Sequence, residues 1–204
     1  MNRVSIPTKK SLRDANPDFV DALDSIEANM GFLPQNILMM THWPEFASAF
    51  LGMVRATETT RTISEELQDL VWVAANAAAS CRYCQAHMAA RASHAGIPQE
   101  KIDAIPEYQT SPLFTDAERA AIDVAYHGAM LATTEAQFEE LRKHFSEREI
   151  VEIVAYTTIA GFLNRWNDGM ASTLEPQAMN YAMKNLAKNG WDIGKHEGEM
   201  AALE

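Results

Sequence analysis

Three short signatures constrain this chain more than anything else in it. Thr115-Asp116-Ala117-Glu118, Thr134 to Gln137 and Ser146 to Glu149 each place a hydroxyl residue three positions before Glu or Gln, the pattern of a capping box. Each opens a run with apolar residues at helical spacing: Ile122, Ala125 and Met130; Phe138, Leu141 and Phe145; Ile150, Ile153, Val154 and Thr157. No segment alternates with period two and ends in hairpin turn chemistry. The chain reads as all-α, a helical bundle rather than a coiled coil.

The rest of the sequence fits that reading. Asn16-Pro17 opens a first helix with Phe19, Val20, Leu23, Ile26 and Met30 on one face, ended by Gly31. Residues 32–40 are apolar with Pro34, which suggests a short helix after a turn. After His42-Trp43-Pro44 a third helix carries Phe46, Phe50, Met53 and Val54 toward Thr60. Ser64 caps the next, whose buried stripe is Leu67, Leu70, Val71, Ala74 and Ala78. The alanines of 74–79 favour helix and let another backbone approach closely. Ser80 reads as an N-cap, with a new helix from Cys81 to about Ala95, terminated by Gly96 and Pro98. A short helix follows over 98–105. The run 189–204 reads as an irregular tail anchored by Trp191.

At 204 residues, 47% of them hydrophobic, the chain has material for a single all-helical domain spanning 1–204. A net charge of −11 with no basic block argues against a nucleic-acid partner. No stretch approaches the roughly twenty apolar residues of a membrane span, and residues 1–10 lack a signal-peptide core, so a cytoplasmic protein is expected. Setting Asn164 against Cys81, an offset of 83 (164 − 81), aligns Leu67 with Ile150, Asp69 with Glu152 and Tyr83 with Trp166, and Cys84 with Asn167. Two pseudo-repeats, about 64–96 and 146–180, are read from this, with thiols only in the first.

The chemistry concentrates at Cys81-Arg82-Tyr83-Cys84 and His87. These are the chain's two cysteines, three residues apart on one helical face, with an imidazole one turn on. A thiolate at a helix N-terminus is stabilised by unpaired amide dipoles, and a histidine beside it can take its proton. Such a pair can pass through a sulfenic acid to a disulfide, which an external dithiol restores. Two bland readings compete. Free cysteine is often compact apolar filler, and three soft ligands fall one short of a usual zinc site. Neither a metal nor another cofactor is expected. Tyr83 reads as packing, or as a hydroxyl pointing into the site; His94 and His127 read as structural or surface residues, His127 the better placed to line a cavity; and Met39, Met40, Met53 and Met88 read as core filler or interface. Asn164-Arg165 reads as a structural polar contact or part of the site's access.

The Cys-x-x-Cys pair, His87 and Gly96 after an Ala-rich helix resemble the alkylhydroperoxidase D-like branch of the carboxymuconolactone decarboxylase family. Gly31-Phe32-Leu33-Pro34 with Pro44 resembles the N-terminal extension of its longer, peroxidase-related members. Glu118-Arg119-Ala120 and Asn164-Arg165-Trp166 resemble their C-terminal half. The resemblance implies an all-helical homo-oligomer (dimer, trimer or hexamer) that reduces hydroperoxides, with attack by Cys84 and resolution by Cys81. Two positions depart from the pattern. Asp69 stands where the family has a relay glutamate, which leaves Glu66 and Glu152 as substitutes. The usual histidine position is Met88, and a one-residue shift to His87 turns the ring about a quarter turn around the helix. The competing functions are a decarboxylase-like or lactone-processing enzyme that leaves the thiols idle, and a non-catalytic helical oligomer binding a partner or apolar ligand.

Overall fold

In the computed structural model the described residues are 2–8, 10–12, 23–24, 26–27 and 32–198. The helix expected from Asn16 to Gly31 falls almost wholly outside them; of its apolar face, Leu23 is described and fully buried. Nine α-helices follow among the described residues, with no strand: α1 Gln35–Met40, α2 Pro44–Thr59, α3 Glu65–Ala78, α4 Arg82–His94, α5 Gln99–Asp103, α6 Asp116–Ala129, α7 Glu135–Leu141, α8 Glu147–Met170 and α9 Pro176–Asn185. None is long and apolar enough to cross a membrane.

All three capping boxes form, at the N-termini of α6, α7 and α8. Each satisfies two orphan helix N–H groups with one short motif. Ser64 Oγ likewise accepts the Leu67 N–H and starts α3.

α3 is the central element. It packs against α4, α6 and α8, and every residue from Leu67 to Asn76 is buried. The expected single stripe is therefore too narrow, because neighbours enclose this helix on all sides; Gln68, Asp69 and Asn76 are buried along with the apolar residues, while Ala78 is only half-buried. Truncating fully buried Leu70 to alanine would cost about 3 kcal/mol through lost transfer energy and the cavity left behind.

The junction between α3 and α4 differs from expectation by one residue. Ser80 is not the cap: it sits in the left-handed region at φ 55° and turns the chain. Cys81 takes the N-cap position, and its sulfur accepts the Cys84 N–H. A three-residue interruption, Ala79 to Cys81, thus re-aims the helix and sets the first cysteine at a helix start.

No such interruption recurs in the second pseudo-repeat. α8 runs unbroken through Asn164, the position aligned with Cys81, to Met170. It ends at Ala171, which is left-handed at φ 50°. The fully covered segment 171–175 then leads into α9, which packs on α4. The C-terminal run folds back over the same region. Trp191 is buried and its Nε1–H donates to the Arg82 carbonyl at 3.0 Å, so it anchors the tail as expected. A small apolar cluster of Cys81, Tyr83, Cys84, Leu174, Ala178 and Trp191 joins these pieces beside the main core.

Candidate active site

The two sulfurs lie 2.8 Å apart as free thiols, both buried. At that separation they are poised for disulfide formation without backbone rearrangement beyond the first helical turn. Their surroundings differ. A thiol hydrogen bond joins Cys81 Sγ to Cys84 Sγ, and Cys81 Sγ accepts the Cys84 backbone N–H at 3.4 Å. The S–H hydrogen bond is the main reason its pKa is lowered; burial opposes the shift and the backbone N–H supports it. Cys84 is pushed well above its usual value, first by burial and then by the neighbouring sulfur. The surroundings thus favour the thiolate form of Cys81, at the positive end of α4, over that of Cys84.

Cys84 has one further partner. Asn167 Nδ2 of α8 donates to Cys84 Sγ at 3.2 Å, and this contact opposes the rise in the Cys84 pKa. Asn167 Oδ1 accepts from Ser172 Oγ at 2.9 Å, which holds the amide with its N–H toward the sulfur. Asn167 is the residue that the 83-residue offset sets against Cys84.

His87 is buried one turn beyond Cys84. Its ring stacks on Tyr83 with centroids 4.4 Å apart and meets the edge of Phe32 at 5.6 Å. Its Nε2 lies 2.6 Å from Glu175 Oε2. Glu175 is wholly buried. Its Oε1 accepts the Tyr83 O–H at 2.9 Å and the Gln35 backbone N–H at 2.6 Å. The Glu175 carboxylate holds the imidazole at Nε2 and leaves Nδ1 as the other functional nitrogen. The same carboxylate and burial push the Tyr83 hydroxyl well above its usual pKa, so it stays a donor.

None of the three carboxylates suggested by sequence holds His87. Asp69 is buried and bonds Arg91 Nε at 2.8 Å, in a cluster where Arg91 also faces Glu58. Burial raises its pKa, and Arg91 pulls against the rise. Glu66 is paired with Lys101 at 2.8 Å, toward solvent. Glu152 accepts the N–H groups of Thr62 and Ile63 and the guanidinium of Arg148. Glu175 carried no signal in the sequence beyond standing before Pro176, and Asn167 only its place in the weak repeat. Tyr83, read as packing or as a hydroxyl pointing into the site, is bonded into it. His127 bonds back to Asp123 and His94 is exposed, so both lie apart from it. Among the methionines, Met39 and Met40 are core, Met88 packs against it, and Met53 is exposed. No group of three His, Cys, Asp or Glu side chains among the described residues could hold a metal ion.

What such a site can do is move two electrons: two thiols become one disulfide while a buried acid–base pair one helical turn away handles a proton.

Comparison with known proteins places this geometry. The model of the carboxymuconolactone decarboxylase family matches residues 44–127. The crystal structure of the debrominase Bmp8 without ligand superposes with a TM-score of 0.77 at 33% identity, over 84% of this chain and 94% of that one. A cysteine-to-alanine variant of Bmp8 in complex with 2,3,4-tribromopyrrole gives 0.80 at 30% identity, over 90% and 99%. An uncharacterized peroxidase-related protein from Ralstonia eutropha JMP134, described as an alkylhydroperoxidase AhpD core, gives 0.75 at 23% identity over 87% and 94%, which shows the fold. Among curated proteins nothing matches.

Proposed function

Because this chain belongs to the carboxymuconolactone decarboxylase family, among its alkylhydroperoxidase D-like members, we propose that it is a thiol-dependent reductase that reduces hydroperoxides through Cys81 and Cys84. The observation that carries this reading is the sulfur pair 2.8 Å apart, with Cys81 at a helix start.

The first step is attack of a thiolate on the distal oxygen of ROOH. The O–O bond breaks, the sulfur becomes a sulfenic acid, and the departing alkoxide takes a proton. The buried His87–Glu175 pair, one helical turn beyond Cys84, relays it in this reading. The second thiol then attacks the sulfenic sulfur, expelling water and closing the disulfide. In sum, ROOH and two thiols give ROH, water and one disulfide, and an external dithiol returns the pair to its starting state. The resemblance assigns attack to Cys84. The opposite pKa shifts of the two sulfurs favour Cys81, and we take Cys81 as the attacking residue and Cys84 as the resolving one. Self-association is part of this reading: Val151 and Val154 on α8 and Leu131 after α6 are exposed apolar residues suited to a second copy.

A second reading draws on the relatives at 33% and 30% identity, which are structures of a debrominase, one of them holding a bromopyrrole. The same electrons would suit it. A proton is added at the ring carbon bearing bromine. A thiolate takes the bromine as a sulfenyl bromide, and the second thiol displaces bromide to give the disulfide. ArBr and two thiols yield ArH, a disulfide and HBr.

The test is stopped-flow oxidation of the reduced protein by cumene hydroperoxide and, separately, by 2,3,4-tribromopyrrole, with thiols counted before and after. Loss of two thiols per peroxide, abolished in Cys81→Ser, supports the first reading; dimedone trapping in Cys84→Ser identifies the attacking sulfur. Release of one bromide for every two thiols lost, and no reaction with peroxide, supports the second. Thiols inert to both reagents overturn the dithiol reading, and lactone turnover surviving both Cys→Ser changes would replace it.

A further inference from the structure

α8 carries a second buried amide one turn from the one on Cys84. Asn164 lies one helical turn before Asn167, so the two side chains share a helix face, and Asn167 marks that face as the one against Cys84. Asn164 is buried, at 6% exposure. Both its Nδ2 and its Oδ1 are enclosed and without a hydrogen-bond partner among the described residues. No other buried amide of the described residues has both ends unpaired. Asn167 shows the contrast, with its nitrogen on Cys84 and its oxygen taken by Ser172.

An enclosed amide that bonds nothing costs the fold free energy, whereas leucine of similar volume would cost none. A polar group so placed calls for a partner from outside the chain. The amide offers two N–H donors and one acceptor oxygen from adjacent atoms. A hydroperoxide presents the matching pair: an O–H to donate and an oxygen to accept. A pyrrole ring presents only its N–H, which would leave Nδ2 unanswered.

We infer that Asn164 is a substrate-binding residue, which holds the oxygen end of a hydroperoxide by a donor–acceptor pair one turn along α8 from the amide on Cys84. This rests on the hydroperoxide reading above and adds to it a site that selects oxygen-terminated substrates over halogenated rings.

The experiment uses two probes, cumene hydroperoxide for turnover and its unreactive product alcohol, cumyl alcohol, for binding, on the wild type, Asn164→Leu and Asn164→Ala. In Asn164→Leu the melting temperature should rise, iodoacetamide labelling of the thiols should be retained, and KM for the hydroperoxide and Kd for the alcohol should each increase about tenfold, the loss of one to two net hydrogen bonds. Asn164→Ala should weaken both in the same way, should the leucine crowd the site. Unchanged KM and Kd in both variants would overturn the inference and leave Asn164 holding water alone; so would a wild type that does not bind the alcohol. Asn164-dependent alcohol binding without peroxide turnover would sustain this site while removing the proposed reaction. Peroxide turnover indifferent to Asn164 would do the reverse.

Discussion

Glu175 Oε2 lies 2.6 Å from His87 Nε2, across 88 residues of chain. The carboxylate sets which imidazole nitrogen carries the proton and balances the charge if the second is protonated. Replacing Glu175 by Gln keeps the shape and removes the charge. Turnover in steady-state assays should fall about a hundredfold, within the range of a lost acid–base function. Glu175→Ala should also destabilise the protein in urea unfolding by about 3 kcal/mol, since it strips partners from His87, Tyr83 and the Gln35 N–H together.

The uneven thiol pair predicts a pH profile. A thiol reacts as its thiolate, so iodoacetamide labelling rises as pH climbs through the pKa. With the Cys81 pKa lowered chiefly by the Cys84 S–H, its labelling should rise at lower pH than that of free cysteine. In Cys84→Ala that donor is gone, and the rise should move to higher pH by about one unit, which is the size of one hydrogen bond to a charged group. Mass spectrometry of singly labelled peptides separates the two sulfurs. An unchanged profile in Cys84→Ala would remove the basis for assigning attack to Cys81.

Asp69 occupies the sequence position of a relay residue, but its oxygen is held by Arg91. Asp69→Asn should therefore leave the rate of disulfide formation within about twofold of wild type. Stability should fall by about 1 kcal/mol, because Arg91 remains partly solvated and keeps Glu58. Rapid-mixing kinetics on reduced protein, alongside thermal unfolding, measures both. A hundredfold slower oxidation would put Asp69 back into the proton path.

His196 ties the tail over the site. Its Nδ1 bonds the Ser172 carbonyl at 2.8 Å, its ring lies against Tyr83, and its pKa is lowered chiefly by burial. The folded state thus resists a proton that the unfolded chain accepts near pH 6.5. The unfolded state binds more protons as pH falls, so stability is full above about pH 6.5 and declines as pH drops through the folded-state pKa. The melting temperature should fall between pH 7.5 and 5, and by less in His196→Gln. Trp191→Ala should loosen the same segment at neutral pH, exposing the thiols to faster labelling.

Local patterns in the sequence determined the helices, because caps, apolar spacing and turn residues act within a few positions of one another. They also determined that two thiols and an imidazole would lie along the first two turns of one helix, since three-residue spacing on a helix is geometry that needs no partner. The exact cap escaped that reading: nothing in Ser80 and Cys81 says which will turn left-handed, and the packing of α4 against α3 chose Ser80. Tertiary structure alone decided what the thiols and the histidine touch. Asn167, Ser172 and Glu175 reach them only because α8 and α9 cross α4, bringing together residues more than eighty positions apart. Whether a buried carboxylate meets an arginine, as Asp69 does, or an imidazole, as Glu175 does, depends on how whole helices pack.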